Sequence, residues 1–161
     1  MPSVGNVNIT AVSTEVVTRF IAAWGKLDFN AIKSAVSHDI FYQNIPFAAI
    51  AQLEDLRQFG DSVAAMVRAG AGGMPITPII GLPAFADFLE TIKQFDWARW
   101  DVKSIAGDRD MVFTERVDTF GFTAGGSISV GVIGLFEVRG GLIHRWRDFF
   151  SLQEFQSQIR Q

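Results

Sequence analysis

The hydrophobic period of the sequence changes near Trp97, and this change restricts the fold more than any other feature. Before Trp97, apolar residues recur at the spacing of amphipathic helices; after it, apolar and polar residues alternate as they do in strands. The alternating segments are 97–105, 111–122, 127–138 and 142–150, and turns are predicted at 107–108, 125–126 and 140–141. Helices followed by long strands predict an α+β domain, with one curved sheet, antiparallel or mixed, and N-terminal helices on its concave face.

The first half of the sequence predicts several helices and one short strand. Apolar residues at helical spacing indicate a helix over 14–27, with Ser13 or Thr14 as its N-cap. The other predicted elements are shorter or less regular: a helix from Asp28 or Asn30, a strand over 40–44 ending at Pro46, helices over 53–67 and from Pro83 to about 94, and a closing helix or tail over 152–159.

Length and composition predict one soluble domain. The 161 residues can build a substantial core, and the 15 phenylalanines suit aromatic walls around a core or a cavity. The formal net charge is −3, so neither nucleic acid nor an anionic membrane is an expected partner. There is no cysteine for disulfide or thiol chemistry. No basic residue precedes Arg19, which argues against a signal peptide, and we expect a cytoplasmic protein.

Two predicted strands carry charged residues on faces that are otherwise apolar. Alternate residues share one face of a strand, so Arg116 and Asp118 point the same way. By the same count Asp148 shares its face with Trp146 and Phe150, where a lone carboxylate is costly. The simpler interpretations are a solvated ion pair for Arg116 and Asp118 and a helix cap for Asp148. Alternatively, one buried arginine between two carboxylates would let both acids exist at low dielectric.

Tyr42 and Asn44 share a face of the strand predicted before Pro46. If they are buried, the phenol and the amide both need hydrogen-bond partners. Turn backbone near Pro46 would satisfy them in a purely structural role. In a functional role they would hold a water molecule, since each side chain offers a donor and an acceptor, and a neighbouring carboxylate would complete a water-activating set.

The remaining polar residues give weaker indications. His38 and His144 are isolated from each other and from any cysteine, so they do not predict a metal site. Four charged residues alternate to the opposite strand faces and suit solvent or a subunit interface: Glu115, Glu137, Arg145 and Arg147. The sequence shows neither a glycine-rich phosphate loop nor a Ser/His/Asp arrangement.

At these residues the chain resembles the limonene-1,2-epoxide hydrolase family, which is one of the cone-shaped, cystatin-like α+β folds that also include nuclear transport factor 2 (NTF2), SnoaL-like proteins and ketosteroid isomerase. The resemblance spans about residues 14–155, and its main pieces are 41–46, 113–118, 134–138 and 146–150. It implies a single domain over 1–161. It also implies a homodimer that forms through the outer face of the sheet.

The resemblance further implies a one-step hydrolysis of an apolar epoxide to a vicinal diol, with no metal, no cofactor and no covalent intermediate. It makes Asp148 the general base and Tyr42 and Asn44 the residues that hold the attacking water. It makes Asp118 the general acid that protonates the epoxide oxygen. Arg116 would lie between the acids and keep one ionised and one protonated.

One segment departs from the family pattern, because residues 47–80 look like an insertion next to the water-holding strand. An uncharged segment over 69–86 begins inside this insertion, and its glycines and prolines predict a packed loop instead of a membrane helix. The insertion would reshape the pocket mouth, cover it as a lid or extend a subunit interface. Two other functions stay open: an epoxide-opening cyclase or isomerase on the same scaffold, and a non-catalytic ligand-binding module.

Overall fold

The computed structural model describes residues 8–47 and 77–159. These residues form four helices and six strands, numbered here in chain order: α1 Ile9–Gly25, α2 Phe29–Ser34, β1 Val36–Phe47, β2 Ile79–Ile80, α3 Leu82–Ile92, β3 Trp97–Asp108, β4 Met111–Gly121, β5 Ser127–Arg139, β6 Leu142–Ser151 and α4 Leu152–Ile159. None of the described helices is long and apolar enough to span a membrane. The predicted helix over 53–67, and most of the predicted insertion at 47–80, lie outside the described residues.

The strands form one curved, open sheet in the order β2-β1-β6-β5-β4-β3. Strands β3 to β6 form an antiparallel meander. Strand β1, the first in the chain, lies parallel to β6, the last. The predicted α+β class, with a mixed sheet and N-terminal helices, is confirmed. The pairing of β1 with β6 matters most for function, because it brings two distant parts of the sequence into contact.

Helix α1 lies across strands β3 to β6 and supplies one side of the main core. Its buried residues recur every three or four positions, so Val17, Phe20 and Trp24 face the sheet together. Phe20 meets Phe136 of β5 and Trp146 of β6 edge to face, with ring centroids 6.1 and 5.1 Å apart. The helix therefore closes one face of the sheet with aromatic packing.

The start of α1 differs from the prediction. The helix begins five residues before the predicted start at 14, and its N-cap is Asn8, whose Oδ1 accepts a hydrogen bond from the backbone N–H of Ala11 at 3.2 Å. Ser13 is buried inside the helix and Thr14 lies one residue further along it. The predicted N-caps, Ser13 and Thr14, are therefore wrong. Asparagine caps helices as well as serine and threonine do, so the residue type alone did not identify the start of the helix.

Strand β1 is longer than predicted and runs through Pro46 to Phe47. Pairing with β6 extends it, since residues from Phe41 to Phe47 lie in register with residues from Arg145 to Ser151. Ile79 and Ile80, inside the predicted loop, pair with the other edge of β1 as strand β2. Tertiary pairing thus overrides the strand-ending tendency of proline.

Two irregularities in the meander also differ from prediction. The first turn lies at Arg109 and Asp110 instead of 107–108, and Arg109 adopts a positive φ of 57°. A register shift in the β5–β6 pairing follows Glu137, so that Ile143 is buried and His144 is only half-buried, beside Asp39. Simple alternation predicts His144 on the same strand face as Asp148, and the register shift removes it from that face. The other predicted strands, α2, α3 and the closing helix form close to their expected positions.

Candidate active site

The register of the sheet places two of the candidate residues, Asn44 and Asp148, in one row across the strands. Asn44 of β1 pairs with Asp148 of β6, Asp148 pairs with Gly134 of β5, and Gly134 pairs with Thr114 of β4. All four are buried on the same face. Tyr42 lies in the adjacent row, opposite Trp146. The parallel β1–β6 pair thus places both water-holding candidates beside the same aspartate.

Arg116 connects the two aspartates directly. Its Nε donates to Oδ1 and Oδ2 of Asp118 at 2.9 and 3.0 Å, and its Nη2 donates to Oδ2 of Asp148 at 2.5 Å. Its Nη1 donates to Oγ1 of Thr114 at 3.0 Å. The Arg116 side chain is 0% exposed, and those of Asp118 and Asp148 are 8% and 6% exposed. A solvated surface ion pair is therefore excluded, and each nitrogen of the guanidinium has an oxygen partner.

Asp148 has a second donor, the indole of Trp146, whose Nε1 lies 2.7 Å from Oδ1. Trp146 is itself held between rings, because Tyr42 stacks on it with centroids 4.0 Å apart and Phe136 stacks at 5.9 Å. The helix-cap interpretation of Asp148 is wrong, since its side chain points into the core, and Ser151 Oγ accepts from the backbone N–H of Glu154 at the start of α4. Aromatic packing thus fixes the orientation of the carboxylate.

A cavity of about 250 Å³ opens over these groups. Tyr42, Asn44, Asp118 and Asp148 supply most of its polar lining. The walls are otherwise mainly aromatic and aliphatic, with side chains that include Phe88, Phe95, Phe120, Phe150, Phe155, Ile92 and Val132. Mostly apolar lining with a few convergent polar groups is typical of a small-molecule site.

Burial raises the pKa values of both aspartates. Burial raises the pKa of Asp118 from 3.8 to about 7; the Arg116 cation opposes this shift, and the neighbouring Asp148 adds to it. Burial also raises the pKa of Asp148, against the effects of Arg116 and of the Trp146 hydrogen bond. The two acids raise the pKa of Arg116, which stays protonated although burial acts in the other direction. One cation facing two buried acids favours the retention of one proton.

Tyr42 stays a neutral phenol in this site. Burial and the charge of Asp148 raise its pKa well above the ordinary value of 10, although hydrogen bonding with Asn44 acts in the opposite direction. A neutral phenol both donates and accepts a hydrogen bond, as does the Asn44 amide. The pair can therefore orient a small polar molecule next to Asp148.

The raised pKa of Asp118 leads to a stability prediction. Between pH 3.8 and about 7 the folded protein holds a proton at Asp118 that the unfolded chain has lost. Proton binding at Asp118 therefore stabilises the folded state fully at low pH, and this stabilisation is lost as pH rises through about 7. We expect the free energy of unfolding of the wild type, relative to Asp118→Asn, to fall by on the order of 2–4 kcal/mol over that range. Urea unfolding at several pH values measures the difference. A pH-independent difference would contradict a raised pKa.

The structure brings all five predicted site residues together. Four of them line one cavity, namely Tyr42, Asn44, Asp118 and Asp148, and the fifth, Arg116, is hydrogen-bonded to both aspartates. Sequence reasoning missed three neighbours that hold them in place, namely Thr114, Gly134 and the indole N–H of Trp146. A Cβ atom at Gly134 would lie 2.2 Å from Arg116 Nη1 and 2.6 Å from Thr114 Oγ1. A glycine inside a long alternating strand indicates close approach of another group, and this pattern could have identified Gly134.

Comparison with solved structures shows the same fold. An LEH-like epoxide hydrolase of M. tuberculosis matches with a TM-score of 0.68 and 22% identity over 94% of this chain and 92% of that chain. A protein assigned as a polyketide cyclase, from Xanthomonas campestris pv. campestris, matches with a TM-score of 0.65 and 19% identity over 94% of this chain and 99% of that chain. An NTF2-like protein from Burkholderia pseudomallei matches with a TM-score of 0.68 and 12% identity over 93% of this chain and 98% of that chain. At these identities the likeness concerns the fold.

Family membership has separate support from the sequence. The model of the limonene-1,2-epoxide hydrolase catalytic domain matches residues 51–161, which is more than half of the chain. The matched region includes Arg116, Asp118 and Asp148, while Tyr42 and Asn44 precede it. The chain belongs to the limonene-1,2-epoxide hydrolase family.

Proposed function

We propose that this protein hydrolyses an apolar epoxide to a vicinal diol in one step, using a water molecule that the enzyme holds. The observation that carries the proposal is a buried arginine hydrogen-bonded to two aspartates beneath an apolar cavity. Family membership supports the same reaction class. The proposed substrate is a small apolar epoxide, because the cavity walls are largely hydrocarbon.

In the proposed reaction Asp148 acts as the base and Asp118 as the acid. A water molecule held by Tyr42 and Asn44 gives a proton to Asp148 while its oxygen bonds to an epoxide carbon. The carbon–oxygen bond of the epoxide breaks, and its oxygen takes the proton of Asp118. Both alcohol groups of the diol are then neutral. Return of the proton from Asp148 to Asp118 restores the site.

The hydrogen bonds support this assignment of the two acids. Asp148 accepts from both Arg116 and Trp146, and both donors favour its ionised form. Asp118 accepts only from Arg116 among the described contacts, and its pKa of about 7 lets it carry a proton near neutral pH. An acid and a base in contact with one cation can thus keep opposite protonation states.

Labelled water tests the reaction directly. In a single turnover with excess enzyme in ¹⁸O-water, we expect one labelled oxygen in the diol, because water attacks the epoxide carbon itself. An unlabelled diol in the first turnover would mean that an enzyme carboxylate supplied the oxygen through an ester. A product without solvent oxygen after many turnovers would instead indicate an epoxide-opening cyclase or isomerase.

The position of Tyr42 and Asn44 argues against that alternative. Both line the cavity beside Asp148, where a water-holding pair has a purpose only if water is a reactant. A non-catalytic binding module is less favoured still, because burying an arginine and two acids costs free energy that apolar residues would avoid. Hydrolysis accounts for all five polar side chains.

We also propose a homodimer formed through the outer face of the sheet. This face exposes Phe113 and Ile133, at 40% and 46%, on adjacent strands, alongside charged residues of both signs that include Glu115 and Arg145. Exposed apolar side chains that share a face with charges of both signs suit a self-complementary interface. Sedimentation equilibrium is expected to give twice the chain mass of 17.7 kDa, and Ile133→Glu to give the single mass. A monomeric wild type at micromolar concentration would refute the dimer.

A further inference from the structure

We propose that Thr114 and Gly134 are positioning residues that hold the Arg116 guanidinium across strand β5, in contact with both aspartates. Neither residue contacts the reacting atoms in the proposed mechanism, so their effect passes through Arg116. The expected effect of these residues on kcat rests on the proposed hydrolase function. Their expected effect on the titration of the two aspartates does not, because it can be measured in the protein without a substrate.

Arg116 has to reach an aspartate that lies two strands away. Arg116 is on β4 and Asp148 on β6, and neighbouring strands are about 4.8 Å apart, so the guanidinium must cross β5. It crosses at Gly134, which lies in register with Thr114 on one side and Asp148 on the other. A Cβ atom there would overlap Nη1 of Arg116 at 2.2 Å. Only glycine leaves this passage open.

The backbone at Gly134 does not otherwise require glycine. Gly134 is not among the described glycines with positive φ, and it lies well inside β5. An interior glycine weakens a strand relative to a residue with a side chain. The space above Gly134, which the guanidinium fills, is therefore the reason that the structure offers for this residue.

Thr114 supplies the third anchor of the guanidinium. Nε is bound to Asp118 and Nη2 to Asp148, and Nη1 donates to the Thr114 hydroxyl at 3.0 Å. Because the guanidinium is planar and rigid, three anchors at three nitrogens fix its plane. The Trp100 ring packs against it with the Cζ atom 4.7 Å from the ring centroid. Without the hydroxyl, Nη1 would be a buried donor without this partner, and the guanidinium could turn away from one aspartate.

Variants at Thr114 separate the hydroxyl from the shape of the side chain. Thr114→Val keeps the branched shape and removes the hydroxyl, and we expect kcat for epoxide hydrolysis to fall about 10- to 100-fold. The pKa values of both aspartates should rise, because a misplaced cation stabilises their ionised forms less. Thr114→Ser keeps the hydroxyl and should recover most of the activity and the original titration. Gly134→Ala should resemble Thr114→Val, since its methyl group displaces Nη1.

Thr119→Val is the matched control. Thr119 is another buried threonine of β4, and its hydroxyl bonds to Ser129 at 2.9 Å instead of to Arg116. This variant should lose stability without a change in the pH dependence of kcat. ¹³C NMR of labelled aspartates follows the titrations without any substrate.

The possible results distinguish the two proposals. An unchanged aspartate titration in Thr114→Val would overturn the positioning role, and so would an equal loss of kcat in Thr114→Ser and Thr114→Val. Both results can be obtained even if Gly134→Ala fails to fold. If the wild type hydrolyses no epoxide but its aspartate titration shifts as expected in Thr114→Val and not in Thr119→Val, the hydrolase proposal fails and the positioning role stands.

Discussion

Asp148→Asn is expected to reduce kcat for epoxide hydrolysis by at least about 10²–10⁴-fold, because the amide cannot take a proton from the attacking water. The replacement has nearly the same shape, and its amide oxygen can still accept from the Trp146 indole. Steady-state hydrolysis of an apolar epoxide measures the effect. Asp101→Asn, on a half-exposed aspartate of β3 paired with Arg99, is the control and should keep full activity.

The same variant should not lose its fold. At neutral pH Arg116 faces two buried acids, and removing one of them leaves a balanced pair with Asp118. The pKa of Asp118 should therefore fall in Asp148→Asn, because the cation then serves one carboxylate and a repelling neighbour is gone. An active Asp148→Asn enzyme would contradict the role of this residue as base. Loss of both activity and fold would show a structural role instead.

Arg116→Met is expected to abolish activity and to destabilise the protein by about 3–5 kcal/mol at pH 8, since it leaves two buried carboxylates without a counterion. The loss should be smaller at pH 5. Without the cation the folded-state pKa values of both acids rise further, so the folded protein takes up protons as pH falls and regains stability. Urea unfolding at pH 5 and pH 8 measures both values.

Arg116→Lys is the informative comparison. A lysine restores the positive charge and much of the stability, but its single nitrogen cannot bind Asp118, Thr114 and Asp148 in one fixed geometry. We therefore expect stability to recover more than activity. An equal loss of stability at pH 5 and pH 8 for Arg116→Met would mean that lost packing, and not uncompensated charge, is responsible.

Much of this site could be predicted because its residues come in pairs separated by two positions. Arg116 with Asp118, Tyr42 with Asn44, and Trp146 with Asp148 each share a strand face by simple alternation, and the structure shows each pair on the inner face. Residue type then indicated acid–base chemistry, and the resemblance to the family supplied the roles.

The supporting residues were less visible. Thr114 resembles many strand threonines, and only the contact with Nη1 distinguishes it. The donor role of Trp146 depends on ring orientation, which its stacking partners determine. The register shift after Glu137 moved His144 out of the predicted face, because alternation holds only while a strand stays regular.

Short-range periodicity was enough to establish the order of helices and strands and the side chains that share each strand face, because both depend on neighbours a few residues apart. The adjacency of β1 and β6 needed the folded chain, since it joins residues about a hundred positions apart through backbone hydrogen bonds and core packing. That adjacency places Asn44 beside Asp148, and the open space at Gly134 lets Arg116 reach the same carboxylate. A local pattern can supply the charged groups, but only the packed sheet brings them within hydrogen-bonding distance.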